Sequence, residues 1–168
     1  MPFTPFHFGP GAALKAMIRS HFSFVIFCYS QVATDLESGF YLLRGEYPIH
    51  RFFHTYVGAT IVGFFCAITG RPLCQLVLRA CQGSSATRLV DRLIAPPKMQ
   101  WSVAFTSSII GTYSHVFLDS IMHRDIAPFN PFSAANPTLD LVSLSSLHAL
   151  CLILGVAGVL LYWIGRRP

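Results

Sequence analysis

Residues 144–165 read LSSLHALCLILGVAGVLLYWIG, and the fold turns on this stretch. It carries no formal charge, and a helix crossing a hydrocarbon core of about 30 Å needs about 20 such residues. It closes on Gly165-Arg166-Arg167-Pro168, a helix stop with a basic tail, and Tyr162 and Trp163 stand where interfacial anchors belong. Toward the N-terminus, residues 101–121 form a second apolar stretch that starts at Trp101 and holds His115 and Asp119 near its end. Residues 52–70, FFHTYVGATIVGFFCAITG, form a third, and Gly70-Arg71-Pro72 after it predicts a helix end. Residues 11–33 are impure: Lys15, Arg19 and His21 interrupt them, and only 22–33 (FSFVIFCYSQVA) is clean. The four stretches predict an all-α, multi-pass membrane helical bundle with about four membrane-embedded segments, folded as a single integral-membrane domain over residues 1–168.

Composition agrees with that reading. The 168 residues are 53% hydrophobic and 11% charged, with a mean hydropathy of +0.54, whereas soluble domains carry about 25% charged residues. The net charge of +5 sits in short segments beside apolar runs, which fits membrane topology rather than a nucleic-acid partner. Arg71, Arg79, Arg88, Arg92 and Lys98 against the single acid Asp91 place 71–100 on the cytoplasmic side, together with the Arg166-Arg167 tail. The segments 34–51 and 122–143, read as loops, then share the opposite side. The five cysteines (Cys28, Cys66, Cys74, Cys81, Cys151) contain no C-x-x-C and suggest no disulfide framework.

The ionisable residues of these segments come in groups: His50 and His54; His115, Asp119 and His123; Asp35 and Glu37. On a helix, residues four apart share a face. A charged group at the centre of a membrane helix costs about 2.5–3.5 kcal/mol, so a chain that collects several has a use for them. Histidine with carboxylate is the donor set of a zinc-like site, with about three protein ligands and one position open to water. A divalent ion brings the pKa of a coordinated water down to about 7. His115 and Asp119 lead the candidate ligands. His50, His54, Asp35 and Glu37 are available to complete the shell, and His123 suits a second site. Asp35 or Glu37 is free to act as general base or to orient an imidazole. His21 and His148 stand alone and read as packing or interfacial residues. Arg51 and Arg124 invite pairing with Glu46 and Asp125, or with an anionic substrate oxygen.

These motifs, in this order, resemble the membrane-bound metal-dependent hydrolase family, the YdjM-like inner-membrane proteins. The resemblance spans most of the chain and rests on Thr4-Pro5-Phe6-His7, on Asp35-Leu36-Glu37 for a P-D-x-D-type motif, on His50-Arg51-Phe52-Phe53-His54-Thr55 for an H-R-G-x-x-H-S type, and on Ser114-His115-Val116-Phe117-Leu118-Asp119 ahead of the loop Pro128–Phe132. Three departures stand out. No proline precedes Asp35, Glu37 replaces an aspartate, and the His50–His54 pair is one residue tighter than the pattern. The resemblance implies a divalent metal, zinc first, an inner-membrane location and hydrolysis, and it adds His7 to the ligand set. A more distant likeness to zinc-dependent phospholipase C points to a phosphodiester or lipid-linked substrate. For His7 to reach Asp35, the first segment must be bent or re-entrant, with 11–20 interfacial and 22–33 short. Two rival classes are a non-enzymatic transporter handling metal ions or protons, and a structural lipid-interacting protein. A transporter would thread polar groups through several helices, yet 144–165 carries only His148. The expected partners are membrane lipid and a small-molecule or lipid substrate.

Overall fold

The computed structural model describes residues 5–80 and 99–165. Among them there are helices, short 3-10 turns and loops, and no strand. The helices are α1 (Phe8–Ile18), α2 (Phe24–Leu43), α3 (Tyr56–Ala80), α4 (Trp101–Met122) and α5 (Leu144–Ile164). Two are long and apolar enough to cross a membrane: α3 over Tyr56–Leu76, and α5, whose apolar window is only 17% buried.

The first stretch is not one span. A 3-10 turn at Arg19–His21 ends α1 after 11 residues and turns the chain back into α2. Lys15 helps hold this reversal, because its ammonium donates to the carbonyls of Arg19 (2.8 Å) and Phe22 (2.7 Å). His7, at the start of α1, therefore lies at the same end of the bundle as Asp35, within α2.

Segment 34–51 is not the loop its polarity suggests. Ser23 caps α2 by accepting the Ile26 N–H, and nothing in the next 20 residues breaks a helix. It stops at Gly45, whose φ of +66° suits glycine. There Gly45 N–H donates to Leu42 O and Glu46 N–H to Tyr41 O, the paired bonds of a Schellman motif. The expected stop at Gly70-Arg71-Pro72 also fails: Pro72 sits inside α3, which runs on to Ala80. Proline removes one backbone hydrogen bond, and Arg71 stays tied across the bundle, with Nε donating to Met99 O and the guanidinium over the Trp101 ring. The basic charges from Arg79 to Lys98, Cys81 and the Arg166-Arg167 tail lie outside the residues whose side chains are described.

The buried faces of α2 and α4 mix polar residues with apolar ones such as Ile26, Phe27, Val103 and Val116. The buried face of α2 holds Ser30, Gln31, Thr34, Asp35 and Ser38, and that of α4 holds Ser107, Ser108, Thr112, His115, Asp119 and Ser120. Val32, Leu36, Phe40 and Phe117 point outward. The two helices run parallel with a fixed offset of 84 residues. Ser23 N–H donates to Ser107 Oγ, and Gln31 meets His115. Gly111 lets them close, since a Cβ there would land on Ser30 Oγ and lie 2.9 Å from the Phe27 carbonyl. Helix α3 packs antiparallel to both, and α5 runs parallel to α1, Gly9 lying against Cys151 and Gly158 against Ala12 and Ala13.

Candidate metal centre

The register of α2 on α4 sets two i,i+4 pairs face to face: Gln31 and Asp35 against His115 and Asp119. His54 joins them from a 3-10 turn, Phe52–His54, just ahead of α3. Asp35, His54, His115 and Asp119 are all buried, and each offers a ligand atom within 4.8 Å of the others. His115 Nε2 lies 3.2 Å from Asp35 Oδ1 and 3.1 Å from Asp119 Oδ2. His54 Nε2 lies 3.8 Å and 3.5 Å from the same two oxygens. Four donors at the corners of a tetrahedron with bonds of about 2.0–2.1 Å stand about 3.3 Å apart. The cluster can hold a metal ion, and it is composed of the nitrogen and oxygen donors that zinc-type ions take.

Unpaired ring nitrogens support this fit. His54 Nδ1 and Nε2, His115 Nε2, both nitrogens of His7, and His50 Nε2 are buried without a hydrogen-bond partner. Each such atom costs about 1–3 kcal/mol if nothing engages it. Burial alone lowers the pKa of an imidazole. At His54, however, the carboxylates of Asp119, Asp35 and Glu37 outweigh burial and push it up to about 10. The carboxylates thus make the surroundings of His54 favourable to positive charge. His7 and His50 are pulled down to about 4, mainly by burial.

Neighbouring groups fix the ligands. Gln31 donates its amide N–H to Ser114 Oγ (3.3 Å) and His7 O (3.5 Å). Its Oε1 therefore faces His115 Nδ1 at 2.7 Å and accepts that N–H. The other nitrogen, Nε2, is left with its lone pair toward the cluster. Replacing Gln31 with leucine is expected to weaken metal binding about 10- to 100-fold, measured by chelator competition, whereas Gln31→Glu keeps the acceptor and most of the affinity. Equal affinity in wild type and Gln31→Leu would show that the imidazole needs no such support. Glu37 Oε2 accepts the Phe53 N–H (2.6 Å) and lies 4.0 Å from His54 Nδ1. Its position suits orienting the imidazole.

The remaining candidates fall beside this cluster. His7 Nε2 is 3.4 Å and His123 Nε2 is 3.9 Å from Asp119 Oδ1. His50 and His54 do not share a helix face, because His50 precedes the 3-10 turn in irregular backbone. Their rings still meet at 4.6 Å. His123 is likewise past the end of α4, in extended backbone. His148 stacks on Phe6 at 4.6 Å, and His21 is exposed. Arg51 pairs with Glu46 at 3.1 Å, and Arg124 with Asp140 rather than Asp125. Sequence reasoning missed Gln31 and Asp125. The signal for Gln31 was a lone amide in a clean apolar run, four residues before Asp35.

Residues 1–167 match the family described as Domain of unknown function (DUF4184). No curated protein and no solved structure matches the chain.

Proposed function

We propose that this chain, which belongs to the DUF4184 family, is a membrane-embedded metal-dependent hydrolase acting on a phosphodiester or lipid-linked substrate. The carrying observation is the buried quartet of Asp35, His54, His115 and Asp119, whose imidazole nitrogens and carboxylate oxygens converge without making hydrogen bonds to one another. A divalent ion, zinc first, would acidify a coordinated water and polarise the ester oxygen. The chain's own residues do the rest. Gln31 and Glu37 hold two imidazoles in place, and the two carboxylates balance the ion's charge. Embedding in a bilayer is supported by the exposed apolar side chains of α3 and α5, the two helices long and apolar enough to cross, since such surfaces mark contact with lipid or a partner rather than with water. We place the protein in an inner membrane with a cytoplasmic C-terminus, from its charge pattern and its resemblance to the YdjM-like proteins. The cluster gathers at the end of the bundle where α1, α3 and α5 begin, which suits a substrate arriving from the interface better than one crossing the membrane.

The test is metal content and turnover on one preparation. Detergent-purified protein is expected to carry divalent metal at one equivalent or more and to hydrolyse bis(p-nitrophenyl) phosphate or a lipid phosphodiester. EDTA should reduce turnover to background, zinc should restore it, and His115→Ala should lose both metal and turnover. Metal-free protein with a folded melting profile, or metal-loaded protein that moves ions across vesicles without cleaving either ester, would overturn the proposal.

A further inference from the structure

We infer that the site is built for two divalent ions bridged by Asp119, the second held by His50, His123 and His7. This rests on the reading that the buried quartet holds an ion. The two oxygens of Asp119 face different groups: Oδ2 points to His54 and His115, and Oδ1 to His7 and His123. A carboxylate spent on one ion has no need of imidazoles around its other oxygen. Asp119 O also accepts the His123 N–H at 2.8 Å, the closing backbone bond of α4, which keeps the two residues adjacent.

The second half has its own support. Asp125 Oδ1 lies 2.9 Å from His50 Nδ1, and Asp125 Oδ2 accepts the backbone N–H groups of Ile49 (3.1 Å) and His50 (3.2 Å). Both its oxygens are thus occupied. Although Asp125 lies within ligand distance of His50 and His123, its geometry makes it the group that holds His50, in the carboxylate–histidine–metal arrangement. His50 Nε2, on the far side of the ring, is buried and unpartnered, and the ring stands 4.4 Å from that of His123. A purely structural His50–Asp125 pair pinning two loops would account for Nδ1. It does not account for the buried Nε2, which makes no hydrogen bond, nor for His7, 3% exposed, whose ring faces Asp119 Oδ1 without one. Three imidazoles with one carboxylate oxygen would make a four-donor shell of the kind zinc and manganese accept, His7 and His123 approaching Asp119 Oδ1 directly and His50 joining through its contact with His123. Paired ions about 3.5–4 Å apart clamp the attacking and leaving oxygens of a phosphoryl centre, so the pairing favours a phosphate ester among hydrolysable substrates.

The experiment is manganese loading of the whole detergent-purified protein, read by elemental analysis and electron paramagnetic resonance. Two equivalents per chain with an exchange-coupled spectrum are expected. The double variant His50→Ala/His123→Ala should hold one equivalent and give an isolated-ion spectrum. One equivalent in wild type with an uncoupled spectrum would overturn the second site and leave the first standing. No bound manganese or zinc at all would remove the underlying reading, and this inference with it. The wild-type spectrum decides the matter even if the double variant does not fold.

Discussion

Asp119→Ala is expected to abolish metal binding, and the proposed hydrolysis with it, metal affinity falling more than about 1,000-fold, or ~4 kcal/mol. Charge balance sets the size of the effect. Asp35 and Asp119 are the carboxylates of the quartet that offset the charge of an ion held there, and deleting one leaves part of that charge uncompensated and sealed from water. Asp119 is 3% exposed, so solvent cannot compensate. It is also the residue with most partners in the site, facing His7, His54, His115 and His123. Asp119→Glu tests geometry apart from charge. An added methylene shifts the carboxylate by about 1.5 Å, far outside the ~0.2 Å tolerance of metal–ligand bonds, so it should fail nearly as badly. Metal analysis and isothermal titration of both variants check this. Stoichiometric metal retained by Asp119→Ala would show that the quartet is not the binding site.

The contrast between His115–Asp119 and the other site residues shows what local pattern can carry. That pair lies in one unbroken apolar stretch, so helical spacing alone put both side chains on one face, and the structure keeps them there. Asp35 is a different case. Residues 30–38 include Ser30, Gln31, Thr34, Asp35, Glu37 and Ser38, and by hydropathy they resemble the end of a span. The helix continues through them because most of these polar groups turn inward onto α4 while Val32, Leu36 and Phe40 turn outward. Hydropathy averages around the helix and loses that distinction. His50 and His54 meet for a reason spacing did not provide: His50 is anchored by Asp125 from the loop after α4, 75 residues away. Pro72 misled in the opposite direction, since a proline in an apolar helix costs one hydrogen bond and need not end it. The return of α1 on itself was legible only as impurity in 11–33. Lys15, which disturbed that stretch, is the residue whose ammonium ties the turn at Arg19 and Phe22.

Gly111→Val should cost about 3 kcal/mol of stability, at the upper end of overpacking, and should weaken metal binding at least tenfold although residue 111 touches no ligand. The site depends on α2 lying in register on α4, and that register is set where the backbones are closest. A side chain at 111 has no room: its Cβ would land on Ser30 Oγ and against the Phe27 carbonyl, and backbone cannot move aside as a flexible side chain can. The helices must separate or slide. One helical turn further on, the 2.7 Å contact between Gln31 and His115 and the 3.2 Å approach of Asp35 to His115 must then lengthen. Gly39, on the same α2, is the control. A Cβ there meets nothing within 4 Å, so Gly39→Ala should be neutral or stabilise by up to about 1 kcal/mol through helix propensity. Thermal melts in detergent and metal titrations of the two variants separate packing at the interface from glycine content in general. If Gly111→Val bound metal as tightly as wild type, the quartet would have to be assembled by something other than the contact of α2 with α4.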